Sequence, residues 1–76
     1  MAHLAPIRPA QFRGFLRDHG WRYDRTKGDH EAWVHEGCPR PVIFQSEGDI
    51  PVFILQGNLR TMGLAREDLV AWLGRN

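Results

Sequence analysis

Large apolar residues recur three and four positions apart near the start of the chain. Phe12, Phe15, Leu16 and His19 share one helical face at that spacing, and Arg13 and Arg17 share another. Pro9 suits the first turn of a helix, where its missing N–H is not needed. Gly20 can take the left-handed conformation that ends one. The pattern predicts a helix over residues 9–19, with Pro6 and Pro9 keeping the preceding residues irregular. The period then changes. Trp21, Tyr23 and Arg25 alternate with Arg22, Asp24 and Thr26, which is a strand pattern. Lys27-Gly28-Asp29 reads as a turn. Residues 31–35 form a second strand, favoured by Trp33 and Val34. Glu36-Gly37-Cys38-Pro39 breaks it, and Val42-Ile43-Phe44 lies within a third strand over residues 41–45.

After the turn Ser46-Glu47-Gly48-Asp49, residues 50–63 fit two descriptions. Val52-Phe53-Ile54-Leu55 suits a fourth strand. Val52, Leu55, Leu59 and Met62, however, recur at helical spacing, and Asp49 with Pro51 suits a helix start. Helix is the preferred reading. It leaves Phe53 and Ile54 off the buried stripe, facing a partner. Gly57 inside it costs about 1 kcal/mol relative to alanine. Gly63 ends it. Ala65, Leu69, Trp72 and Leu73 then mark a terminal helix, with Glu67 and Asp68 near its positive end. The order is α-β-β-β-α with a final α. This predicts an α+β domain in which helices cover one face of a three-stranded antiparallel sheet and leave the other open.

With 76 residues, the chain is expected to be one domain over positions 1–76. Cys38 is the only cysteine, so there is no disulfide framework, and a reducing compartment is expected. Residues 1–20 hold no continuous apolar run, and no stretch approaches the ~20 residues that span a bilayer. A cytoplasmic protein is expected. The net charge of +1 conceals an asymmetry. Residues 1–28 carry six basic groups (Arg8, Arg13, Arg17, Arg22, Arg25, Lys27) against Asp18 and Asp24. Residues 29–76 carry four basic groups against seven acidic ones. A basic first third can attract an anion or a nucleic-acid backbone, or simply be a solvated surface.

His30 lies beside the first turn, where a strand start can project it into solvent. A histidine can give or take a proton near neutrality. Arg22, Arg25 and Lys27 are close enough in sequence to hold a phosphate or a developing oxyanion, and Gly28 lets another backbone approach. That set suits cleavage of an RNA phosphodiester, in which the 2′-hydroxyl is the nucleophile and neither metal nor cofactor is needed. Taken alone, His30 also reads as a surface histidine in a hairpin turn. His30, His35 and Cys38 have ligand chemistry, but 30 and 35 differ in parity, so a regular strand points them to opposite faces. No metal site is expected. Cys38 reads as a passive thiol in a turn, and Ser46 has no base partner. His19 is expected to pack at the end of the first helix, and His3 to lie in a loose terminus. Trp21 and Trp33 could stack on bases, as aromatic residues do in single-strand recognition, or make core.

Three stretches stand in register with a known family: "HGW" closing the helix, "RTKGDHEAW" running out of the first strand, and "LRTMGLAREDL" toward the end. Together they resemble the HicA mRNA interferase toxins over residues 9–73. The family pattern is glycine, a variable residue and histidine, with an aromatic position three residues later. Here that is Gly28-Asp29-His30 and Trp33. The resemblance implies a fold like the double-stranded-RNA-binding domain, with residues 50–62 helical. It implies a metal-independent endoribonuclease acting on mRNA, with His30 as catalytic residue and a HicB antitoxin as partner. On that reading Lys27, Arg25 and Arg22 bind phosphate. Gly28 and Asp29 shape the turn, and Trp33 supports His30 or stacks. The chain departs from the family at Phe44-Gln45-Ser46, where Pro-x-His is common. It departs again at Val52-Phe53-Ile54, where members are commonly more basic. The competing reading is a non-catalytic RNA-binding or protein-interaction module.

Overall fold

The computed structural model describes residues 3–75. The elements are α1 (Pro9–Asp18), β1 (Arg22–Lys27), β2 (His30–His35), β3 (Cys38–Gln45), α2 (Val52–Met62) and α3 (Arg66–Arg75). The strands form one antiparallel sheet in the order β1-β2-β3, so β2 is central. The expected α+β architecture is the observed one. Among the described residues, no helix is long and apolar enough to cross a membrane.

One face of the sheet carries Trp33, Val42 and Phe44, all buried, and α1 lies over them with Phe12, Phe15 and Leu16. The Phe12 and Phe44 rings meet edge to face at 5.1 Å. Fully burying such a side chain contributes about 1.5–3 kcal/mol. The amphipathic period of α1 is therefore what fixes which sheet face becomes core. At its start, the Arg8 backbone N–H donates to Gln11 Oε1 at 3.0 Å, one half of a capping box. His19 closes α1 as expected: its Nδ1–H donates to the Phe15 carbonyl at 2.8 Å. Trp72 of α3 packs on Phe15, and its indole N–H donates to Asp18 Oδ2 at 2.7 Å.

The helical reading of residues 50–63 holds, and the sheet edge shows why no fourth strand is needed. The Asn58 side-chain amide donates to the Ile43 carbonyl at 2.9 Å, and the Ile43 N–H donates to Asn58 Oδ1 at 3.4 Å. One side chain of α2 thus satisfies the outward backbone groups that a neighbouring strand would have taken. Leu55 and Leu59 are buried, with Val52 and Met62 packed against the core. Phe53 is 71% exposed, but Ile54 is partly buried, so only the first of this pair faces outward. Asp49 does not cap the helix; Pro51 holds that position without a side-chain bond.

Three further expectations change. β3 begins at Cys38, so the break after β2 shrinks to Glu36-Gly37. β3 is an edge strand, where prolines 39 and 41 cost little, and the register slips between Trp33 and His35 to accommodate them. β1 runs from Arg22 to Lys27 and contains a bulge at Asp24. Finally, the irregular start of the chain contributes to the core: Leu4 and Ile7 are buried, and Ile7 bridges Ile50.

β1 and β2 are joined by only Gly28 and Asp29, because Lys27 pairs with His30. Gly28 has φ +63°, and Asp29 is not in the positive region. Glycine first in a two-residue loop is the pattern of a type II′ hairpin turn. A Cβ at Gly28 would meet nothing within 4 Å. The requirement is therefore backbone conformation alone. Gly28→Ala is expected to lower stability by about 1–2 kcal/mol. Gly57→Ala, within α2 and also facing open space, is expected to raise it by about 1 kcal/mol. Urea midpoints of the two variants should move in opposite directions; movement the same way would contradict this account.

Candidate active site on the open sheet face

Residues directly opposite across an antiparallel pair share a face. The register pairs Lys27 with His30, Arg25 with Ala32, and Arg22 with Val34. His30, Ala32 and Val34 alternate with Glu31 and Trp33, which face α1. Arg22, Arg25, Lys27 and His30 therefore all stand on the open face. Simple alternation had split Arg22 from Arg25. The bulge at Asp24 adds one residue between them and returns both to the same side. Across β3 the rows continue, with Gln45 opposite His30 and Ile43 opposite Ala32.

His30 is exposed, and its Nδ1 lies 2.9 Å from Asp29 Oδ1. The approach is between two exposed side chains, and Nε2 carries no contact among the described residues. The turn itself is held: the Ser46 N–H donates to the Asp29 carbonyl at 2.8 Å. The cations are partly offset. Arg25 Nη1 pairs with Asp24 Oδ2 at 2.5 Å, an exposed contact that leaves the remaining guanidinium N–H groups available.

Trp33 does not belong to this face. It is 2% exposed, under the Arg17 guanidinium at 5.3 Å, and its indole N–H donates to Glu31 Oε1 at 2.8 Å. A buried ring on the helix side cannot stack on a base, so that role is corrected: Trp33 is core. Trp21 is likewise buried, with the His35 ring tilted against it at 5.3 Å. His35 and His30 thus lie on opposite faces. The Cys38 thiol donates to the carbonyls of Arg40 and Thr61.

What the sequence reading missed is the support beneath His30. Glu31 is 3% exposed on the helix side. Arg13 of α1 grips it with a fork, Nε to Oε1 at 2.9 Å and Nη2 to Oε2 at 2.7 Å, and Nη2 also donates to the Ser46 carbonyl at 3.1 Å. Burial pushes the Glu31 carboxyl up. The hydrogen bonds from Arg13 and Trp33 outweigh it and hold the group below its ordinary value of 4.5. The clue was available: Glu31 shares parity with Trp33, and a carboxylate on the core side of a strand needs a cation. Of the six basic residues in the first third, Arg13 and Arg17 are therefore spent on the helix side. Arg8 stands at the start of α1, and Arg22, Arg25 and Lys27 remain for the open face.

Neither models of known protein families nor curated proteins give a match to the chain. The site therefore stands on its own geometry. Arg25, Lys27, His30, Glu31, Ala32 and Ile43 line a shallow concavity of about 400 Å³. It combines an exposed imidazole, two cations and an apolar floor. Among the described residues, no group of three or more His, Cys, Asp or Glu side chains could hold a metal ion.

Proposed function

We propose that this chain is a HicA-like endoribonuclease that cleaves single chains of mRNA without metal, and that a HicB-like antitoxin silences it. The observation that carries this reading is the pairing of Lys27 with His30 on an open sheet face, with Arg25 one step along the same row. His30 Nε2 takes the proton of a ribose 2′-hydroxyl. The 2′-oxygen attacks phosphorus, and the 5′-oxygen leaves and takes a proton from water. The products are a 2′,3′-cyclic phosphate and a 5′-hydroxyl. Lys27 and Arg25 neutralise the charge that builds on the phosphoryl oxygens. The Gly-x-His turn, the order of elements and the exposure of His30 all support the reading.

The test is direct. The purified chain, incubated with RNA in excess EDTA, is expected to yield fragments with cyclic phosphate ends. Its expression alone is expected to stop growth until a small neighbouring protein is co-expressed. Intact RNA together with undisturbed growth, from soluble folded protein, would remove the nuclease reading. It would favour the binding-module reading, for which 71%-exposed Phe53 offers a protein contact.

A further inference from the structure

The open face is ordered in rungs. Lys27, His30 and Gln45 form one, and Arg25, Ala32 and Ile43 form the next. The second rung runs from cation to small apolar residue to large apolar residue. Ile43 is 46% exposed, which is unusual for an isoleucine in mid-strand, and nothing in the core requires it to face outward. Its backbone N–H and carbonyl are both held by the Asn58 side chain, so its place at the rim is fixed. Ala32 is only 6% exposed and forms the floor of the concavity between Arg25 and Ile43.

We infer that the Ala32–Ile43 floor is a binding site for one unpaired nucleobase, and that Ala32 and Ile43 restrict the enzyme to single-stranded RNA. The inference rests on the nuclease reading for its substrate, but it makes a claim of its own about binding. Neighbouring strands are about 4.8 Å apart, and alternate residues along a strand about 7 Å apart. A nucleotide laid across the sheet can therefore place its phosphate over Arg25 on β1 and its base between Ala32 and Ile43. Its ribose then lies within one rung of His30. A paired base is stacked on both faces and cannot enter; only a splayed base can. The row Arg22, Arg25, Lys27 follows the backbone of the same strand. Because Asp24 offsets part of its charge, the apolar floor must supply a share of the affinity that a more basic protein would draw from phosphates.

The test separates binding from cleavage by using a 2′-O-methyl oligoribonucleotide, which cannot be cut. Three proteins are compared by fluorescence anisotropy: the wild type, Ala32→Ile, which fills the floor with a residue suited to strands, and Ile43→Ala, which removes its wall. Circular dichroism and thermal melting confirm each fold. The wild type is expected to prefer the single strand to its duplex. Removing the base at one particular nucleotide is expected to weaken wild-type binding by about tenfold, the lower end of base-stacking effects. Ala32→Ile is expected to bind the complete oligonucleotide about tenfold more weakly. It should lose nothing further when that same base is absent. Equal binding of single strand and duplex would overturn the inference, as would unchanged affinity in both folded variants. Binding that follows this pattern while ordinary RNA survives uncut would sink the nuclease reading and leave this one standing. Cleavage that persists unchanged in Ala32→Ile and ignores the missing base would do the reverse.

Discussion

His30→Ala is expected to lower RNA cleavage by about 10²–10⁴-fold, the contribution of a positioned proton acceptor, while leaving RNA binding and thermal stability close to wild type. The separation follows from where the residue sits. His30 is exposed, and its side chain contacts Asp29 at 2.9 Å on the open surface. Its removal leaves no cavity and strands no buried group. Asp29→Ala supplies the finer measurement. Asp29 stands beside the ring at Nδ1 and touches no substrate in this proposal, so its role is that of a positioning residue. Both groups are well exposed, and contacts of this kind are weak. Its loss is expected to cost only about two- to fivefold in kcat with KM unchanged. Binding of a non-cleavable oligonucleotide and the thermal melt of both variants complete the comparison. Full cleavage by His30→Ala would end the catalytic assignment. A fall in binding equal to the fall in rate would make His30 a contact residue instead.

How far the sequence reveals this site depends on which kind of pattern carries each part. The helical stripe of Phe12, Phe15 and Leu16 and the β-rich run that follows were enough for the architecture, because periodicity records burial directly. The turn was legible because Gly28 is needed for its backbone angle. Two features escaped because they depend on register rather than on period. The bulge at Asp24 cannot be seen in an alternating string, yet it decides that Arg22 and Arg25 share the face of His30. The Asn58 clamp on Ile43 spans fifteen positions and joins a helix to a strand edge. Trp33 illustrates a different limit. An aromatic residue near a candidate histidine fits stacking and core equally well until the parity of buried Glu31 and its half-buried partner Arg13 shows which face it takes. The same consideration divides the basic third of the chain. Charge counted along a sequence does not distinguish an arginine locked onto a buried carboxylate from one free to meet a phosphate.

Arg13→Ala is expected to cost about 3 kcal/mol, because it leaves the buried Glu31 carboxylate without its cation. Against a total of roughly 4–11 kcal/mol for a domain this size, that is a large share. The effect should depend on pH in a way that identifies its cause. In the wild type, the Glu31 carboxyl is held below 4.5. The unfolded chain then takes up this proton before the folded one does. The stabilisation is complete above about pH 5 and is lost as pH falls through the depressed folded value. Without Arg13, burial is opposed only by the remaining hydrogen bonds to Glu31, and the downward shift shrinks. Protonation then weakens the folded state less than it does in the wild type. The stability gap between wild type and Arg13→Ala should therefore be widest near neutrality and narrow steadily on acidification. Glu31→Gln should show a shallower acid dependence than the wild type, since the titrating group is gone. Urea midpoints followed by tryptophan fluorescence between about pH 3 and pH 7 would read all three. A gap that stays constant with pH would mean that Arg13 stabilises through packing of its stem rather than through its charge. Because the fork also holds the Ser46 carbonyl, and Ser46 in turn holds the turn at Asp29, Arg13→Ala has a second consequence. Cleavage by the still-folded fraction is expected to fall as well, which ties the orientation of His30 to an ion pair on the opposite face of the sheet.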